Sequence, residues 1–182
     1  MMSWPQIKTQ WKWLLAITAI LVSVEVINLL TGRSLAQFGV VPRDMAHLPM
    51  IFSSPFIHGS PQHLIANLLT LWVFVALMGL QGQKRFLWIS LWIIAATGVL
   101  VWLFGRTALH IGASGVVYGY FGFLVLAGWR SRRKRMLLVS VLIALVYGSL
   151  IIGVIPQAGF ISWESHLFGF ISGAIAAWYW AK

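Results

Sequence analysis

The stretch Ile111-Gly112-Ala113-Ser114-Gly115-Val116-Val117-Tyr118-Gly119-Tyr120-Phe121-Gly122-Phe123-Leu124-Val125-Leu126-Ala127-Gly128-Trp129 decides the fold. It carries no charge and is long enough to cross a hydrocarbon core of about 30 Å as a helix. Gly115, Gly119 and Gly122 recur at helical spacing, so one face is small enough to take a second helix in close contact. The first turn holds a serine. At a helix N-terminus the backbone N–H groups are unpaired and the dipole favours negative charge, so the Ser114 amide is a ready donor to an oxyanion. Taken alone, Gly112-x-Ser114-Gly115 reads as a serine N-cap between packing glycines, and the catalytic reading needs its context.

Working outward, five further apolar runs flank this one: Trp13–Leu30, His63–Leu80, Phe86–Phe104, Met136–Val154 and Trp163–Ala181. With residues 111–129 they make six expected spans. Composition agrees. The chain is 60% apolar and 9% charged, against about 25% charged in soluble domains, and its mean hydropathy is +0.88. So few charges cannot cover a water-facing surface. The expectation is an all-α membrane protein folded as a single domain over 1–182. The first run follows Lys8 and Lys12 like a signal peptide but lacks a small-residue cleavage site, so it reads as a retained span. The net charge of +10 does not point to nucleic acid, because the basic residues flank apolar runs instead of forming one face. There is no cysteine, hence no disulfide framework and no thiolate metal site. No cofactor is expected.

Orientation follows from the 13 Lys and Arg residues. A cytoplasmic N-terminus puts Lys8, Lys12, Lys84, Arg85, Arg130, Arg132, Arg133, Lys134, Arg135 and Lys182 inside, and only Arg33, Arg43 and Arg106 outside. Both termini are therefore expected in the cytoplasm. The cluster Arg130–Arg135 reads first as a topology anchor and only second as an anionic-lipid site. The segment Thr31–Gln62 is long for a connection and rich in apolar residues such as Phe38, Val40, Leu48 and Ile51. It is expected to lie in the interface or pack on the bundle.

Polar groups at membrane depth are costly and are treated as functional candidates. In the last run His166 shares a face with Gly169 and Gly173, a second small face that matches the one on the fourth run. Close packing of the two would carry His166 towards Ser114. Depth supports the pairing. Ser114 to Arg130 and His166 to Lys182 are each roughly 24 Å of helix, and Asn67 to Lys84 is roughly 25 Å, with His63 one turn higher. Four polar groups from three helices thus reach one level. Their chemistry assigns Ser114 as nucleophile and His166 as its base, with His63, Asn67 and the Ser114 N–H stabilising an oxyanion. Tyr118, one turn below Ser114, can pack on the His166 ring. Glu164 points about 200° away from His166, so a dyad is expected and not a triad. Glu25 is expected to pair within the bundle or with the long loop. His47 and His110 read as solvated loop or interface residues. Metal chemistry is not expected, since no His-Glu-x-x-His run exists. Asp44 is the sole aspartate, which excludes a two-aspartate protease. Paired intramembrane carboxylates for a proton-coupled transporter are also missing.

These residues resemble the rhomboid family of intramembrane serine proteases. The motifs are His58-x4-His63-x3-Asn67, Gly112-x-Ser114-Gly115 with Tyr118, and His166-x2-Gly169-x3-Gly173, in that order. The six runs and cytoplasmic termini match the minimal bacterial form. The resemblance implies a Ser114–His166 dyad and an oxyanion hole of His63, Asn67 and the Ser114 amide. It implies a structural role for His58, a membrane-embedded hairpin between the first two spans, and a cap formed by Ile155–Ser162. Substrates would be transmembrane segments of membrane proteins, and membrane lipids would be the other partners. The expected location is a bacterial inner membrane, a reading taken from the small size and lack of appended domains, with the site opening to the extracytoplasmic side. Oligomeric state is left open. The rival reading is a non-catalytic rhomboid-like binder of membrane helices.

Overall fold

The structure, a computed structural model, describes residues 4–157, 159 and 161–181, with side chains from Gln10 onward. Lys182, the side chain of Lys8, and residues 158 and 160 of the expected cap lie outside the described set. Six long helices follow one another: α1 (Trp4–Leu30), α2 (Pro61–Met78), α3 (Gln83–Phe104), α4 (Ser114–Ser131), α5 (Lys134–Tyr147) and α6 (Trp163–Trp180). No β-strand occurs among the described residues. Four segments are long and apolar enough to cross a membrane: Gln10–Leu30, Pro61–Gln81, Gln83–Phe104 and Lys134–Val154. The helices outside that set are α4 and α6.

That division has a physical cause. Helix α4 packs against α2, α3, α5 and α6, and most of its residues are buried. A helix wrapped by other helices can carry glycines, tyrosines and a serine that a lipid-facing helix cannot. By contrast α5 turns Leu138, Leu142, Leu145 and Val146 outward. Its last turns, Gly148–Val154, tighten into a 3-10 helix.

Local signals set the helix starts. Ser60 caps α2, its hydroxyl accepting the His63 N–H at 3.1 Å, and Pro61 follows in the first turn. Ser162 caps α6 by accepting the Ser165 N–H at 3.3 Å. Helix α4 starts three residues into its apolar run. Gly112 has φ 114°, a conformation that favours glycine, and the chain becomes helical only after it.

The long loop packs on the bundle in four short 3-10 turns. Arg33 binds the Glu25 carboxylate at 2.9 Å and also donates to the His58 carbonyl at 3.0 Å. Asn28, fully buried on α1, donates to the same carbonyl at 3.2 Å and accepts the Leu35 N–H at 3.1 Å. Val40 and His110 exchange two backbone hydrogen bonds of 3.0 and 2.8 Å. Ile51 seats against Gly98, where a Cβ would stand 2.5 Å from the isoleucine. Glu25 thus pairs with the loop.

Candidate active site

Glycine against glycine brings α4 and α6 together. A Cβ on Gly169 would strike the Gly115 carbonyl, and one on Gly173 would strike the Gly119 carbonyl. On the neighbouring part of the seam a Cβ on Gly122 would strike the Phe170 carbonyl. Both backbones therefore touch along this seam, and the side chains beside it meet across it. The Tyr118 and His166 rings stack with centroids 4.1 Å apart and planes 5° from parallel.

Ser114 is the first residue of α4, one helical turn before Tyr118. Ala113 holds the N-cap position and no side chain caps the helix. The capping role open to Ser114 on sequence grounds is therefore not the one it has, and its amide sits in the first turn, where N–H groups lack helical partners. Ser114 and His166 are buried but not sealed, at 8% and 9% exposure.

The imidazole of His166 is held on a second side. Its Nδ1 lies 2.9 Å from the carbonyl oxygen of Gly153, in the 3-10 turn that ends α5. A carbonyl only accepts, so Nδ1 carries the proton, and Nε2 is left with a lone pair. Gly153 has no room for a side chain: a Cβ would strike the Tyr118 hydroxyl and stand 3.2 Å from His166 Nδ1.

From α2 comes Asn67, 6% exposed, whose buried Nδ2 has no hydrogen-bond partner among the described residues. An unpartnered buried donor is costly and calls for an acceptor. His63 lies against the Gly112 backbone: a Cβ there would stand 2.7 Å from His63 Cε1 and 2.9 Å from Nε2. The His58 ring meets His63 edge-on at 5.1 Å. Its Nε2 accepts the Ala113 N–H at 3.3 Å, next to Ser114. Burial pushes the His58 pKa down to about 4, so this ring is neutral and serves as an acceptor that fixes the start of α4.

Three groups differ from the sequence reading or lay beyond it. His110 is not solvated: it is 3% exposed, its Nδ1 lies 2.6 Å from Ser162 Oγ, and its Nε2 lies 3.1 Å from the Arg106 carbonyl. The antiparallel bridge to Val40 draws it inward, and burial lowers its pKa. Arg106, read only as an outside charge, reaches the carbonyls of Gln157, Gly159 and Ile161. Its Nε also pairs at 3.3 Å with Glu164, which is 1% exposed. Glu164 thus turns away from His166 and anchors the segment leading into α6. The Gly153 carbonyl was missed as well, because every residue carries a carbonyl and nothing in the sequence singles out this one.

A family model described as Rhomboid domain matches residues 45–182. An uncharacterized protein of Mycobacterium tuberculosis is 34% identical over 176 residues, covering 91% of this chain and 72% of the relative. A similar protein of Mycobacterium leprae is 34% identical over 174 residues, covering 91% and 69%. RHOMBOID-like protein 4 of Arabidopsis thaliana is 29% identical over 131 residues, 68% of this chain and 32% of that longer protein. A family match over three-quarters of the length, joined to several membrane-length apolar helices, makes this chain an integral membrane protein of the rhomboid family.

Proposed function

We propose that the chain is an intramembrane serine endopeptidase that cleaves transmembrane segments of other membrane proteins. One observation carries the reading. The His166 ring is clamped between the Tyr118 face and the Gly153 carbonyl, on a helix locked by glycines to the one that begins at Ser114. A structural histidine also gives its N–H to a carbonyl, as His110 does; what suits a general base is that His166 Nε2 keeps its lone pair without a hydrogen-bond partner among the described residues.

In this reading the Nε2 lone pair of His166 takes the Ser114 hydroxyl proton as Oγ attacks the scissile carbonyl. The Asn67 Nδ2, the Ser114 N–H and His63 stabilise the tetrahedral oxyanion, each such donor being worth about 10²–10³ in kcat. His166 then gives its proton to the leaving amine, and water releases the acyl group by the reverse roles. The dyad works without a carboxylate, because the Gly153 carbonyl orients the imidazole. A helical substrate hides its carbonyls in hydrogen bonds, so it must unwind locally before attack.

The same reading takes all six helices as spans, with both termini in the cytoplasm on the strength of the Lys and Arg bias. The site then opens to the extracytoplasmic side of a bacterial inner membrane, beneath the segment 155–162. Labelling with a fluorophosphonate, followed by mass-spectrometric mapping of the adduct, tests the assignment. A Ser114 adduct that disappears in His166→Ala supports the protease. A folded protein that takes no adduct and cleaves no transmembrane substrate returns the chain to the non-catalytic binder.

A further inference from the structure

The far end of the bundle carries a charge problem that the candidate active site does not touch. Arg130, Arg132, Arg133, Lys134 and Arg135 crowd the turn between α4 and α5. The chain has three acidic residues in all. Glu25 pairs with the long loop, Asp44 lies within that loop, and Glu164 opens α6 at the opposite end. Among the described residues no acidic side chain pairs with these five cations, so they are open to an anion from outside.

The structure gives them a shaped place to hold it. The ends of α4, α5 and α6 border a groove of about 550 Å³ lined by Gly128, Trp129, Arg130, Arg132, Leu137 and Trp178. A second opening shares Arg130 and Arg132 with it. Arg130 is already oriented: its Nε donates to the Trp178 carbonyl at 3.0 Å, and its guanidinium lies 5.2 Å over the Trp178 ring. Among the described residues its terminal nitrogens bind no other protein atom. A stacked guanidinium with both terminal nitrogens open suits bidentate binding of a phosphate. The remaining wall is apolar and outward-facing, with Trp129 67% and Trp178 51% exposed. A free inorganic anion has no use for that wall, but a lipid does.

We propose that this groove binds an anionic glycerophospholipid, its phosphate on Arg130 and Arg132 and its glycerol and upper acyl chains along Trp129, Leu137 and Trp178. An orienting charge needs only to be on one side of the membrane. The ordered arginine inside an amphipathic groove goes beyond that need. The site is independent of any peptidase activity.

The experiment uses the full chain, purified and delipidated in a neutral detergent, with its thermal transition followed during titration. The probes are phosphatidylglycerol, phosphatidylcholine with the same acyl chains, and inorganic phosphate. Phosphatidylglycerol should raise the transition saturably, with at least tenfold tighter apparent binding than phosphatidylcholine, and inorganic phosphate should not reproduce it. Arg130→Gln and Trp129→Ala should each weaken the effect about tenfold. The double substitution Lys134→Gln with Arg135→Gln removes more charge but lines neither opening, and should leave it within about twofold. Each variant's transition without lipid reports whether it folds. Equal response to the two lipids, reproduction by inorganic phosphate, or losses that track charge removed instead of position would each overturn the proposal.

Discussion

The carbonyl of Gly153 meets the Nδ1 of His166 at 2.9 Å, and this contact joins the end of α5 to the candidate base on α6. It crosses from a 3-10 turn to a helix, and the Tyr118 hydroxyl stands where a Gly153 side chain would begin. Two consequences follow. The tautomer of His166 depends on where α5 ends, and Gly153 has no substitute of larger size.

Gly153→Ala therefore tests orientation while leaving both proposed catalytic residues unsubstituted. The added methyl must displace Tyr118 or His166. The expected result is a fall in kcat of about 10–100-fold with little change in KM, since misplacing a catalytic group by about 1 Å costs on that order. An altered pH–rate profile should accompany it, because the imidazole would lose its Nδ1 acceptor. An unchanged kcat and profile would separate Gly153 from the chemistry.

Ser114→Ala and His166→Ala should each abolish cleavage of a transmembrane substrate, and the double variant should be no worse than either alone. Groups that act as one unit are non-additive in this way. Reconstituted vesicles with a fluorogenic transmembrane substrate provide the assay. Additive losses would mean that the two residues work separately.

Asn67→Ala carries an unusual sign. Its buried Nδ2 has no partner among the described residues, so removing it also removes a desolvation penalty. Activity should fall by about 10²–10³-fold in kcat, while the thermal transition stays level or rises slightly. A large loss of stability would instead show Asn67 to be a structural residue.

Arg106→Gln should loosen the segment between α5 and α6. The change removes bonds to the Gln157, Gly159 and Ile161 carbonyls and leaves the Glu164 carboxylate buried without its cation. Since Arg106 is one-third exposed, the cost is expected nearer about 1–2 kcal/mol than the several reported for fully buried pairs. Faster hydrogen exchange in that segment is the direct readout. Restoration of stability by adding Glu164→Gln would confirm that the stranded carboxylate is the cause.

Acid should weaken the fold through His58. Burial lowers its folded pKa from 6.5 to about 4. Between those values the unfolded chain binds the proton and the folded protein does not, so stability falls as pH drops from 6.5 towards 4, and His58 adds no further loss below. The full effect is on the order of 3 kcal/mol. His110, shifted the same way, adds to it. A thermal transition measured from pH 7 to pH 4 should decline and flatten in His58→Gln.

Much of the helix pattern was legible before any coordinates. Runs without charge mark helices where the backbone must satisfy its own hydrogen bonds, and most helix ends fell within three residues of the run ends, although α1 begins at Trp4, nine residues before its run. The start of α4 fell three residues into its run, after the positive φ of Gly112. The fifth run read as one helix, yet its last turns became 3-10. His110 read as a solvated loop or interface residue because its burial depends on a two-residue bridge to Val40, far away in sequence.

The sequence by itself determined which chemistry is on offer. It holds one serine at a glycine-flanked helix start, one histidine on a glycine-faced helix, an asparagine at matching depth, and almost no carboxylates. Local pattern and residue type suffice for that, because depth along a helix is a matter of counting residues. Tertiary structure alone decided what holds those groups in place: the Gly153 carbonyl on His166, the His58 ring on the Ala113 amide, and Arg106 across the segment before α6. Each of these uses a backbone atom that every residue possesses, and only the folded arrangement selects which one.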